Sequence, residues 1–207
     1  MIVYVESNFV QEVALLQEEH QHCLQIIELC RQGLAHLTIP AYCLAEPHET
    51  RIRRHKDRMA LKEKLAAELR QLSRTQTYQA QTTAMDQITA FLIRSTEEET
   101  ARLASTVNEV LAIANVIPLT KDVLTAAMTL EKEHGLRPQD SIVYASIVAD
   151  LEKTDAGDKC FLNKNSKDFD DPDIVAALTA RNCTLLARFE SGLGYIQSQL
   201  SQPPSKS

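Results

Sequence analysis

The chain is poor in residues that would make its class obvious. Among 207 positions there is no tryptophan, only five glycines, and 5% aromatic residues. Few glycines beside abundant alanine, leucine and glutamine lean the composition towards helix. No run of about 18 apolar residues occurs, which excludes a membrane-spanning helix. The five cysteines (Cys23, Cys30, Cys43, Cys160, Cys183) are odd in number and never spaced CxxC. They read as reduced core residues of a cytoplasmic protein rather than a disulfide framework. No internal repeat is visible. The first residues, MIVYVES, lack the basic flank and long apolar stretch of a secretory signal and read as a strand of the fold.

The length suits one sizeable core, predicted as a single domain over 1–200 with a disordered tail at 201–207. Charge is uneven. Residues 51–74 carry nine Lys/Arg against three acids, a local +6, which leaves −12 for the rest of a chain whose total is −6. That split suggests a basic surface for an anionic partner on an acidic body.

Apolar runs at Ile2–Val5, His36–Ile39, Val116–Leu119, Cys160–Leu162 and Cys183–Leu186 read as five strands separated by helical stretches. Pro118 places the third at an edge. Strands alternating with helices predict an α/β fold of three layers, with a five-stranded, mostly parallel sheet covered on both faces. Ser7 or Asn8 suits the cap of the first helix, Thr120 that of a later one, and Gly33 and Gly135 suit helix ends. Pro138 opens a helix that is apolar on nearly every face, with Asp140 in its first turn.

The stretch between strands two and three exceeds one crossover. Residues 47–114 are predicted as a helical insertion or arm. Pro47 should kink or restart its helix. Residues 48–74 should form a long helix with an apolar stripe at Leu61, Leu65, Leu69 and Leu72, free to pack within the chain or across a homodimer. Residues 75–83 read as a polar connector or a weak helical continuation, and 84–94 and 97–114 as two further helices.

In that topology Glu6 follows strand one, Glu46 lies one or two helical turns after strand two, and Asp168 follows strand four. Asp140 begins the helix that leads into strand four, so it starts at the same carboxyl edge. Four carboxylates in one crevice repel unless cations lie between them. Hard oxygen ligands suit Mg²⁺ or Mn²⁺ and the hydrolysis of phosphodiesters.

YVESNF after the first strand, a glutamate after the second, LRPQDSIVYAS and FLNKNSKDF together resemble the PIN-domain nucleases over roughly 1–46 and 116–186. The resemblance implies a five-stranded parallel sheet and a Mg²⁺- or Mn²⁺-dependent endoribonuclease. It implies acids at Glu6, Glu46, Asp140 and the loop 163–168, where Asp168 is the available carboxylate. Glu6, Asp140 and Asp168 are the expected metal ligands, with Ser7, Asn8 and Asn165 beside them. Two positions depart from the family pattern: Glu6 stands where Asp is usual, and Asn165 where Asp is frequent. Family members acting as toxins pair with an antitoxin, a partner that nothing in this sequence indicates. RNA is the expected substrate, and Arg51, Arg53, Arg54 and Arg58 are its candidate contacts.

Simpler readings stand beside these. Asp140 can be only a helix-start acid, and Asp168 one of an acidic loop and cap with Asp170, Asp171 and Asp173. The basic helix can be a solvated face, and scarce aromatics, chiefly Tyr78, argue against a base-stacking platform. A catalytically impaired PIN-like module that binds RNA or a protein is the alternative function. A receiver-like regulator ranks last, for want of paired acids after strand one.

Overall fold

A computed structural model describes residues 1–154, 157–164 and 169–201, with the side chains of 79–86 and 89 set aside. The strands are β1 (Ile2–Val5), β2 (His36–Pro40), β3 (Asn115–Ile117), β4 (Lys159–Leu162) and β5 (Cys183–Leu186). All neighbours pair in parallel, in the order β3-β2-β1-β4-β5. The central strands show why: Val3, Tyr4, Val5 and all of β4 are buried, as strands covered on both faces must be. The exposed strand positions are Asn115 in β3, Thr184 in β5 and His36 at the start of β2.

The helices are α1 (Ser7–Ala14), α2 (His20–Arg31), α3 (Ala41–Leu72), α4 (Gln79–Ile113), α5 (Lys121–His134), α6 (Pro138–Leu151), α7 (Pro172–Thr179) and α8 (Phe189–Leu200). On one face α1, α2, α8 and the end of α4 pack together, with Phe9 of α1 edge-on to Phe189 at 5.5 Å between ring centres. On the other face Tyr4 of β1 donates to Asp150 of α6 at 2.8 Å, and Phe161 of β4 meets Phe169 and, through it, Tyr144 of α6. The chain is therefore an α/β protein with a five-stranded, all-parallel sheet flanked by helices.

Local signals account for most boundaries. Thr120 caps α5 by accepting from the Val123 amide at 3.3 Å. Gly135 ends it at φ +65°, a left-handed conformation that glycine adopts without a Cβ penalty. Pro138 is the first residue of α6, and seven of the 14 residues of α6 are buried. All five cysteines are free thiols, four of them buried. Among the described residues no helix is long and apolar enough to cross a membrane. The tail beyond 201 lies outside them.

Two expectations in the arm fail, and a third is settled between its alternatives. Pro47 does not break its helix: α3 runs unbroken for 32 residues. Proline deletes one backbone donor, but Pro47 is buried between α1 and α4, and packing on both sides holds the helix through it. Of the two readings of 75–83 the helical one holds: one 3₁₀ turn, Gln76–Tyr78, leads into α4 at Gln79, with no glycine or proline to stop it. The two helices expected over 84–114 are one. Ser95 and Thr96, at the expected break, bond back to the Leu92 carbonyl at 3.0 Å each, which keeps them inside the helix.

Candidate active site

In a parallel sheet every strand ends at the same edge, and loops beyond it form the usual ligand crevice. Glu6 follows β1 directly. Its backbone is extended and it occupies the cap position of α1, yet its side chain makes no cap bond; the residue is only 7% exposed. Neither Ser7 nor Asn8 caps α1. Both lie inside its first turn, because the helix starts one residue earlier than a capping serine needs. The Ser7 hydroxyl is turned to α3 instead. It donates to Glu46 Oε2 in a very short hydrogen bond, while Glu6 Oε2 lies 3.4 Å away. One hydroxyl has one proton, so it serves the nearer carboxylate.

Glu46 is placed by the short step from β2 into α3. Pro40 ends the strand, and two turns of helix carry the carboxylate back over Ser7. Tyr42 precedes Glu46 by one turn and so shares its face. Its hydroxyl is pushed up to about 12, first by burial and then by the charges of Glu46, Glu49 and Asp140. Asp140 therefore belongs to this neighbourhood, where α6 packs against α3. Cys43 lies beneath; burial, and next the charge of Glu6, push its thiol well above the ordinary range.

The far wall is the end of β4. Asn163 is buried, its amide donates to the Leu186 carbonyl at 3.0 Å, and its side-chain oxygen is 3.5 Å from the Asn8 amide nitrogen. Lys164 bridges from the start of this loop to Glu12, near the end of α1, and to Glu18 in the turn that follows it. Asn165 and Asp168 lie outside the described residues. The structure thus brings Glu6, Ser7, Glu46, Asn8 and Asn163 to one edge, with Asp140 near them through Tyr42. Tyr42, Cys43 and Asn163 were not singled out from the sequence. The i to i+4 step from Tyr42 to Glu46 was the available signal.

These donors are all oxygens, the kind that Mg²⁺ or Mn²⁺ prefers, and such ions often take one or two protein carboxylates and keep several waters. Glu6 and Glu46 fit that role in kind. Among the described residues, no three His, Cys, Asp or Glu side chains gather closely enough to hold an ion.

The basic residues of α3 divide. Arg58 forks onto Glu99 of α4 at 2.8 and 2.9 Å and also reaches Thr96 at 3.0 Å. Arg51 donates to Thr100 at 3.1 Å. Both tie α3 to α4. Arg53 is exposed and Arg54 half-buried.

No family model matches the chain, and no curated protein matches it. A similar solved structure is VapBC2 from Rickettsia felis bound to a DNA fragment from its promoter. It is 13% identical over 90% of this chain and 98% of that one, with a TM-score of 0.43. A likeness at that level carries nothing about activity or partners.

Proposed function

We propose that this chain is a PIN-type, Mg²⁺- or Mn²⁺-dependent endoribonuclease of the cytoplasm. The supporting observation is the meeting of Glu6 and Glu46 around the Ser7 hydroxyl at the carboxyl edge of a parallel sheet, with Asp140 opening a helix beside them. Glu6, Asp140 and Asp168 would hold the metal, which when bound supplies an activated water and charge stabilisation for phosphodiester hydrolysis. Glu46 holds Ser7, and Ser7 keeps the first-strand loop against α3. Asn8 offers an amide group to the RNA backbone, and the buried Asn163 lies behind it. Arg53 and Arg54 supply positive charge one to two turns along α3.

The test is Mn²⁺-dependent cleavage of single-stranded RNA. The protein should cleave, and Asp140→Asn should lose cleavage while keeping its fold. No cleavage by either, with no metal bound, would sink the enzyme reading. Glu6, standing where the family pattern has Asp, favours a second reading, a catalytically impaired module that binds RNA or a protein partner. RNA binding without cleavage in Mg²⁺ or Mn²⁺ would select it.

A further inference from the structure

Tyr42 stands four residues before Glu46 on α3, and such positions are neighbours on a helix surface, about 5–6 Å apart. The tyrosine is half-buried, with its ring packed against the core. The charges of Glu46, Glu49 and Asp140 all act on its hydroxyl. An apolar body thus anchors the ring, and the polar tip lies among carboxylates. Each of those acids is a good acceptor, yet the Tyr42 hydroxyl makes no hydrogen bond to a described residue. Glu46 is half spent. Its Oε2 takes the Ser7 proton, and its Oε1 has no donor among the described residues.

A free donor and a free acceptor one turn apart define the chemistry of what fits between them. The group must accept from the phenol and donate to the carboxylate, and a hydroxyl does both. Each O–H···O bond is about 2.7–2.8 Å long, so one oxygen bridges a gap of up to about 5.5 Å. That matches the spacing of neighbouring positions on the helix. A phosphate oxygen does not suit the place. It accepts from Tyr42 but has no proton for Glu46, and Glu46, Glu49 and Asp140 repel its charge. On a nucleic-acid strand the ribose 2′-OH meets the requirement, and it is the group that RNA has and DNA lacks.

We propose that Tyr42 and Glu46 read the ribose 2′-OH of the strand bound at this edge, and so select RNA over DNA. The Tyr42 hydroxyl donates to the 2′ oxygen, and the 2′-OH donates to Glu46 Oε1. Ser7 occupies Oε2 and leaves Oε1 as the acceptor. A deoxyribose fills neither bond, and a site built around a hydroxyl discriminates against a ligand without one. This inference rests on the nuclease reading, in that the edge takes a nucleic-acid strand, and adds which sugar that strand carries.

The experiment pairs two proteins with two strands. The full chain and Tyr42→Phe are each titrated into labelled single-stranded RNA and into DNA of the same sequence, with uracil in both. Binding is read by fluorescence anisotropy in Ca²⁺, an oxygen-seeking ion of looser geometry than Mg²⁺. Cleavage of both strands is followed separately in Mn²⁺. The unaltered protein should bind RNA more tightly than DNA. Tyr42→Phe should weaken RNA binding about three- to tenfold and leave DNA binding unchanged. That inequality is the coupling between the phenol and the 2′-OH. Equal losses on RNA and DNA would mean that the variant only disturbs packing, and would overturn the proposal. So would equal affinity of the unaltered protein for both strands, or a preference for RNA that Tyr42→Phe keeps in full. If RNA is cleaved without any preference of sugar, this proposal fails and the nuclease reading stands. If neither strand is bound or cleaved, both fail.

Discussion

The Ser7 hydroxyl donates to the Glu46 carboxylate, joining the first turn of α1 to the second turn of α3 across 39 positions of sequence. This bond closes the edge of the sheet where Glu6 emerges, and it fixes the spacing between the two glutamates. Ser7→Ala removes the donor and leaves a half-exposed carboxylate that water can reach. The expected loss is about 1 kcal/mol, less than is usual for a bond to a charged group because water takes the donor's place. Chemical denaturation of the two proteins measures it.

Glu6 reaches one methylene further than the aspartate it replaces in the family pattern, about 1.5 Å. If the crevice holds Mg²⁺ or Mn²⁺, that excess displaces one ligand of a nearly octahedral ion. Glu6→Asp should therefore tighten Mn²⁺ binding and raise RNA cleavage. Calorimetric titration with Mn²⁺ reads the first effect directly. Unchanged or weaker binding removes Glu6 from the ligand set.

Much of this architecture can be read from short-range chemistry. Ile2–Val5 and Cys160–Leu162 are continuous apolar runs because both faces of the sheet are covered, and β1 and β4 fall there. Thr120, Gly135 and Pro138 mark helix ends through their own backbone preferences. What escaped depends on partners far along the chain. Pro47 sits inside a helix because α1 and α4 hold it, and neither contact is visible near residue 47. Ser7 looks like a cap until α3 is in place to take its proton. Arg51 and Arg58 look like solvated charges until α4 returns alongside them. The edge that gathers Glu6, Glu46 and Asp140 was legible from strand order; their mutual distances were not.

Gly192 of α8 packs directly against Leu162 of β4. A Cβ there would lie 2.6 Å from Leu162 Cδ2, and Leu162 is fully buried beside Asn163. Gly194, two residues on, has open space. Gly192→Ala should cost about 1–2 kcal/mol, as overpacking exceeds the gain in helix propensity. Gly194→Ala should stabilise by about 0.5–1 kcal/mol. Opposite signs from one helix, measured by denaturation, are the expected result.

The free thiols should be inert in the native state. Burial pushes Cys30 up to about 11 and Cys183 up to about 12, and raises Cys23, Cys43 and Cys160 further. Thiolate is the reactive form, so it is scarce at pH 8 in every case. A disulfide reagent should label none rapidly in the folded protein and all five after unfolding. Fast labelling of one native thiol would reveal a local opening at that element.

Glu19 links the start of α2 to the start of α8. Its Oε2 accepts from the Phe189 amide at 2.7 Å and its Oε1 from Arg188 at 3.0 Å. Arg188 caps nothing with its own side chain, so this distant carboxylate satisfies the first turn of α8. Burial alone would raise its pKa; the Phe189 amide and then Arg188 outweigh burial, and the net shift is below the ordinary 4.5. Because the folded value is depressed, the stabilisation is complete above 4.5 and is lost as pH falls through the folded value. Glu19→Gln should cost about 1–3 kcal/mol at pH 7. Most of that belongs to the amide bond, because Arg188 is largely exposed and such pairs contribute little. The gap between the two proteins should narrow as pH drops below 4.5, once Glu19 is protonated in both folded and unfolded chains. Denaturation midpoints at pH 7 and pH 3 test this; a gap that is constant with pH would assign the loss to packing rather than to charge.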